Sequence, residues 1–145
     1  MAKDDFRCVH RLRVRWAEVD MQKVVFNGHY LTYIDTAVAD YWREIQLDYP
    51  DGYLRKYGND VFLRKTALEY LGSAHYDDEL AVYCRVARLG RTSFTWAFEI
   101  HRDQLLVTAE LVYVNADPKT MTAAPLPEEL RARVRAYERT KPAEN

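Results

Sequence analysis

Asn27-Gly28-His29-Tyr30-Leu31-Thr32-Tyr33-Ile34-Asp35-Thr36-Ala37-Val38-Ala39-Asp40-Tyr41-Trp42-Arg43-Glu44-Ile45 is the stretch on which the fold turns. Tyr30, Leu31, Ile34, Ala37, Val38, Tyr41, Trp42 and Ile45 recur at spacings of three and four. That is the period of a helix with one apolar stripe. Thr32, Thr36, Asp40, Arg43 and Glu44 fall on the other side. Asn27 is a favoured N-cap residue type and opens the pattern. Pro50, Asp51 and Gly52 close the segment. A stripe this wide needs an apolar surface to lie on, so the flanking segments decide what that surface is.

The flanks read as strands. Before the helix, Cys8, His10, Leu12, Val14 and Trp16 alternate with Arg7, Val9, Arg11, Arg13 and Arg15, the pattern of a half-buried strand. The arginine row reads as a solvated face, with an anion site as the other reading. After the helix, Phe62 to Leu71 alternates imperfectly. Leu80-Val82-Cys84-Val86, Phe94-Trp96-Phe98-Ile100 and Leu105-Val107-Ala109-Leu111-Tyr113 each occupy one side of a strand. The links Gly90-Arg91 and Arg102-Asp103 are short enough to join antiparallel neighbours. Pro127-Glu128-Glu129 starts a last, short helix, with Leu130, Val134 and Tyr137 on its apolar stripe. The expectation is an α+β fold: a five-stranded antiparallel sheet against one long helix, with a short C-terminal helix. One domain spans residues 1–145, with its core at about 7–137 and frayed ends, the tail loosening from Thr140. One helix cannot cover every face and edge of such a sheet, so a homo-oligomer is expected.

The 145 residues carry 21 Lys+Arg and 22 Asp+Glu, a balance that argues against nucleic acid as a partner. No apolar run approaches the ~20 residues needed to span a bilayer. Met1 to Phe6 has no apolar stretch of a secretory type. Cys8 and Cys84 form no CxxC, and His10, His29, His75 and His101 are scattered, so no metal site is expected. A cytoplasmic protein with two inert thiols is the expectation. No GxSxG, P-loop or GxGxxG is present.

Asp20 lies on a mostly apolar loop, seven residues before Asn27. A helix N-terminus offers free N–H groups and a partial positive charge, which can hold a carbonyl oxygen as it becomes an oxyanion. A carboxylate beside it can attack the carbonyl or activate water. The plainer reading of such an Asp is a cap or a solvated loop residue. His29 is the one histidine near the acid, and Cys84 falls on a core alternation.

Val14-Arg15-Trp16-Ala17-Glu18-Val19-Asp20-Met21-Gln22-Lys23-Val24-Val25-Phe26-Asn27-Gly28-His29-Tyr30-Leu31 resembles the signature of the hotdog-fold acyl-CoA thioesterases, in particular the 4-hydroxybenzoyl-CoA thioesterase-like group. Asp35, Tyr41-Trp42-Arg43, Asp77-Asp78-Glu79-Leu80, Ser93-Phe94 and Leu111-Val112-Tyr113-Val114 follow in the family's order. The resemblance implies a hotdog fold, with the sheet wrapped around the long helix. It implies hydrolysis of an acyl-CoA to free acid and CoA, with no metal or organic cofactor. Asp20 would be the nucleophile or general base. The backbone N–H of Asn27, with that of Gly28, would polarise the thioester carbonyl. Sites would form at the interface of a homodimer or homotetramer. Val25, Phe26, His29 and Tyr30 are candidates for the acyl pocket. Arg88, Arg91 and Ser93 are candidates for the CoA phosphates, with a charged turn as the other reading. Trp16 and Asn27 stand where some relatives have Tyr and His, and Met21-Gln22-Lys23 replaces the usual small residues after the Asp. The alternatives are a hotdog module that binds acyl-CoA without catalysis, and a dehydratase or hydratase using His29.

Overall fold

The computed structural model describes residues 3–144. Strand β1 (Cys8–Arg13) leads through the Asp20 loop into helix α1 (His29–Glu44), followed by a short helix α2 (Asp51–Tyr57). Strands β2 (Asp60–Tyr70), β3 (Glu79–Leu89), β4 (Ser93–His101) and β5 (Leu105–Asp117) come next, then β6 (Thr122–Ala123), α3 (Glu128–Tyr137) and β7 (Ala143–Glu144). The sheet order is β1-β3-β4-β5-β2, antiparallel throughout those five strands. Tight turns make β3, β4 and β5 a meander. β1 and β2 are the two edges, and the chain must cross the sheet to pass from one to the other. Helix α1 makes that crossing, which lays its apolar stripe on the sheet, as the hotdog arrangement requires.

The core confirms which residues face inward. Trp96 is fully buried beneath α1, with its ring 4.9 Å from Tyr41 and 6.2 Å from Trp42. Phe94, Phe98 and Ile100 share its face, and each aromatic ring so buried contributes roughly 1.5–3 kcal/mol through removal from water. Cys8 and Cys84 are buried free thiols directly opposite each other on β1 and β3.

Several sequence expectations are corrected. The helix begins at His29 with Gly28 as its N-cap, and Asn27 does not cap it. Tyr33 is buried and Leu31 is 40% exposed, because the inward stripe passes through 30, 33, 34, 37 and 38. Trp16 leaves the first strand, which ends at Arg13, and is 74% exposed in a 3-10 turn. The Pro50-Asp51-Gly52 stretch starts a second helix as well as ending the first segment. That helix stops at Gly58, whose φ of 70° is the left-handed conformation glycine tolerates. The tail is not frayed at Thr140. Ala143 and Glu144 pair with Arg88 and Leu89 of β3, and Glu144 meets Arg131 and Arg135 of α3. At the other end, Phe6 is buried, so the core extends past both expected limits. The sheet gains two-residue strands β6 and β7 beside the five expected. The arginine row is largely spent on protein partners: Arg7 on Tyr137 O, Arg13 on Glu79, and Arg15 on Glu18.

Candidate active site

The Asp20 loop is a small antiparallel finger. Val19 bridges Val25, Asp20 N–H donates to Val24 O at 2.9 Å, and Phe26 N–H donates to Glu18 O at 2.9 Å. Between them the chain turns through Met21 to Lys23, with Lys23 at a φ of 65°. Asp20 stabilises this turn itself. Its Oδ1 accepts Gln22 N–H at 2.8 Å, an Asx turn, which explains an acid at this position. Its second oxygen has no hydrogen-bond partner among the described residues. The side chain is partly exposed, and Met21 beside it is fully so.

The finger returns directly into the start of α1. His29 N–H donates to Phe26 O at 2.9 Å and Tyr30 N–H to Asn27 O at 3.4 Å. Among the described residues, the N–H groups of Asn27 and Gly28 have no acceptor, and no side chain caps the helix. An uncapped helix start of this kind is electropositive and able to receive an anionic oxygen. The ring of Phe26 lies over Gly28, where an added Cβ would stand 3.0 Å from it. Phe26 is half exposed and packs edge-on to the His29 ring at 5.9 Å.

Val25 and Tyr30 do not form an open wall in the single chain. Both are buried. Val25 N–H donates to Ala74 O at 2.9 Å, and Ala74 N–H donates to the Tyr30 hydroxyl at 3.0 Å. The two residues clamp the 71–78 segment against the helix start. Burial pushes the Tyr30 phenol up, so it stays protonated. Exposed apolar groups surround this end: Trp16 and Tyr76 in edge contact at 5.3 Å, Phe26, Leu31, Tyr70 and Leu71. The Tyr70 hydroxyl donates to Asn27 O at 3.3 Å.

Arg88, Arg91 and Ser93 lie at the other end of the sheet. Asp20 follows from β1 at the end where Val14 bonds with Asp77 and Asp78, next to Glu79. From Glu79 to Leu89 the chain is extended, so the Gly90 turn is about 33 Å away at ~3.3 Å per residue. The single chain does not bring Asp20 and these three residues together. At that same far end a cavity of about 430 Å³ opens between α1, the segment after it and β2, lined by Trp42, Tyr49, Leu63 and Tyr113 among others.

The sequence reading missed Glu18. It is 5% exposed, and its Oε1 accepts both Arg15 N–H and the Tyr33 hydroxyl, each at 2.8 Å. Its Oε2 accepts Arg15 Nε at 3.0 Å and Nη2 at 2.7 Å. The one local signal is the Arg15-x-x-Glu18 spacing, which becomes an i,i+3 ion pair once the chain turns at Trp16–Glu18. Ala74 carried no comparable signal, because its part is played by backbone atoms.

The family model of the Thioesterase superfamily matches residues 22–109, a segment that starts just after Asp20. Among solved structures, a thioesterase of Thermus thermophilus complexed with coenzyme A and Zn aligns with a TM-score of 0.80 at 26% identity, covering 93% of this chain and 96% of that one. A 1,4-dihydroxy-2-naphthoyl-CoA thioesterase from Synechocystis aligns with a TM-score of 0.78 at 21% identity, covering 87% and 93%. A DHNA-CoA thioesterase from Staphylococcus aureus aligns at 0.73 and 21%, covering 81% and 79%. The last two are likenesses of fold.

Proposed function

This chain belongs to the thioesterase superfamily, and from that premise we propose that it hydrolyses an acyl-CoA to a free acid and CoA, with Asp20 carrying the chemistry. The observation that supports this most is that the finger carrying Asp20 runs directly into a helix start with unused N–H groups. Asp20 has a carboxylate oxygen without a partner, and the helix start has the N–H groups of Asn27 and Gly28 without acceptors, among the described residues. The carboxylate either attacks the thioester carbonyl carbon or takes a proton from the water that does. As the carbonyl oxygen gains charge, the two N–H groups and the helix dipole hold it. The C–S bond then breaks, the thiolate leaves as CoA and takes up a proton, and water supplies the new oxygen of the acid. Phe26 and His29, on the open side of the helix start, are the candidates to meet the acyl group.

The working unit in this proposal is a dimer joined edge to edge through β2. Its middle, Leu63 to Ala67, is exposed, and Leu63 is 56% so. Antiparallel pairing of β2 with its copy sets the Asp20 end of one protomer beside the far end of the other. Arg88, Arg91 and Ser93 of the second protomer then come toward the first protomer's site, where CoA phosphates would need cations. The coenzyme A complex of the Thermus relative supports a CoA ester as substrate.

Free-thiol release from short, long and aromatic acyl-CoAs tests the activity. Release from at least one of them is expected. A folded protein that binds CoA but releases thiol from none would replace this reading with the non-catalytic module.

A further inference from the structure

Glu18 joins three pieces of the site without taking part in the chemistry proposed for it. Its side chain reaches α1 at Tyr33, its Oε2 holds Arg15, and its carbonyl accepts Phe26 N–H at 2.9 Å. Asp20 follows it by two residues, and Asn27 follows Phe26 by one. Desolvation pushes the Glu18 pKa up, but hydrogen bonds from the Arg15 side chain, the Arg15 N–H and Tyr33 outweigh it and hold the carboxyl below its ordinary value. Burial, and then the bond to Glu18, push the Tyr33 phenol far up, so it remains a donor to an ionised acceptor.

Such a group is a poor way to gain stability. The desolvation of a buried carboxylate largely cancels what its partners return, and an apolar pair would attach the finger to the helix as well. What the carboxylate supplies is direction and distance. We propose that Glu18, locked to Tyr33, is a positioning residue that fixes the Asp20 carboxylate relative to the N–H groups of Asn27 and Gly28. This rests on the reading of Asp20 as the reacting group. Oxyanion donors work only within about 2.7–3.1 Å of the oxygen they stabilise, and a displacement of ~1 Å can cost ~10²-fold in rate. The transition state therefore depends on this bond, while ground-state binding does not.

The test compares Tyr33→Phe, Glu18→Gln, Glu18→Ala and the double variant Glu18→Ala/Tyr33→Phe. The readouts are kcat and KM on the best acyl-CoA of the panel, with thermal unfolding measured in parallel. Asp20→Asn is the reference. Glu18→Ala should lower kcat by ~10²-fold with KM unchanged. Glu18→Gln keeps an inward oxygen for Tyr33 and Arg15 N–H, so it should recover most of that loss. Tyr33→Phe should lower kcat by about tenfold, the equivalent of one hydrogen bond. The double variant should be no slower than Glu18→Ala alone, because both remove the same bond. Tyr33→Phe and Glu18→Gln keep the test open if Glu18→Ala does not fold. Unchanged kcat per folded molecule in Glu18→Ala or Tyr33→Phe, with only the melting temperature lowered, overturns the proposal. So do losses that multiply in the double variant. An Asp20→Asn enzyme as active as wild type overturns the reading of Asp20 first, a failure distinguishable from that of Glu18.

Discussion

In the proposed reaction, Asp20 and Asn27 contribute different parts of themselves: a side chain in one case, a backbone N–H in the other. The second claim has its own test. Asn27→Pro deletes an N–H that bonds to nothing in the fold among the described residues. It should therefore lower kcat by roughly 10²–10³-fold while unfolding stays close to wild type. Steady-state kinetics alongside a thermal melt checks this, and full activity in a folded Asn27→Pro protein would remove the oxyanion role. The sequence offers these two positions as candidates chiefly through the family resemblance, since an acid some residues before a helix reads locally as a cap or loop residue. Glu18 was not singled out, because its burial depends on Tyr33, fifteen residues away, and Tyr33 reads as buried only once the helix is rotated correctly. Tyr30 was half legible. Its place on the apolar stripe was visible, but its hydroxyl's bond to Ala74, 44 residues on, was not.

Among the elements, the long helix and the four later strands were read to within a few residues, since periodicity is repeated enough to fix them. The short helix α3 was read as well, from Pro127 and its thin apolar stripe, but α2, β6 and β7 were not. α2 has seven residues and is fastened by the Tyr53 hydroxyl on Asn115 Oδ1 at 2.8 Å, a tertiary bond that leaves no pattern. The tail is held by α3 and by Glu138 just beyond it. Glu138 is buried, and its Oε2 accepts Val86 N–H at 2.8 Å beside an irregularity in the β3–β4 pairing, together with the Tyr41 hydroxyl at 2.6 Å. Its other oxygen is buried without a partner among the described residues. Burial pushes its pKa above the ordinary value, and the bonds from Tyr41 and Val86 and the Arg85 and Lys141 charges only partly oppose this. The sign follows from linkage. A carboxyl whose folded pKa is raised stabilises most below its unfolded pKa, and that contribution is lost as pH rises through the folded value. Glu138→Gln keeps the neutral shape and removes the titration. Its melting temperature should gain on wild type as pH rises from 4.5, the ordinary glutamate value. A constant difference across that range would show that Glu138 does not titrate in the fold.

For the whole molecule, the sheet leaves β2 as an unpaired edge with exposed Leu63 next to a cavity, and it sets the proposed phosphate ligands far from Asp20. One helix set against five strands leads the sequence reading to expect a second copy. The two edge strands themselves emerge only from strand order, which the sequence does not give. If β2 is the seam, Leu63→Glu should shift the protein from dimer toward monomer and lower thioesterase activity with it, as read by light scattering and thiol release at the same concentrations. A monomeric Leu63→Glu protein with full activity would show that the site is complete within one chain.

In the proposed mechanism everything depends on the Asp20 carboxylate carrying the reaction. Asn at this position can still accept Gln22 N–H, so the turn and the fold should survive the change. The most direct measurement is kcat for thiol release by wild type and Asp20→Asn, at equal folded concentration, on the best acyl-CoA substrate. Asp20→Asn should lower kcat by at least about 10³-fold with the melting temperature nearly unchanged. Turnover within a few fold of wild type would contradict it and return Asp20 to the role of a turn residue.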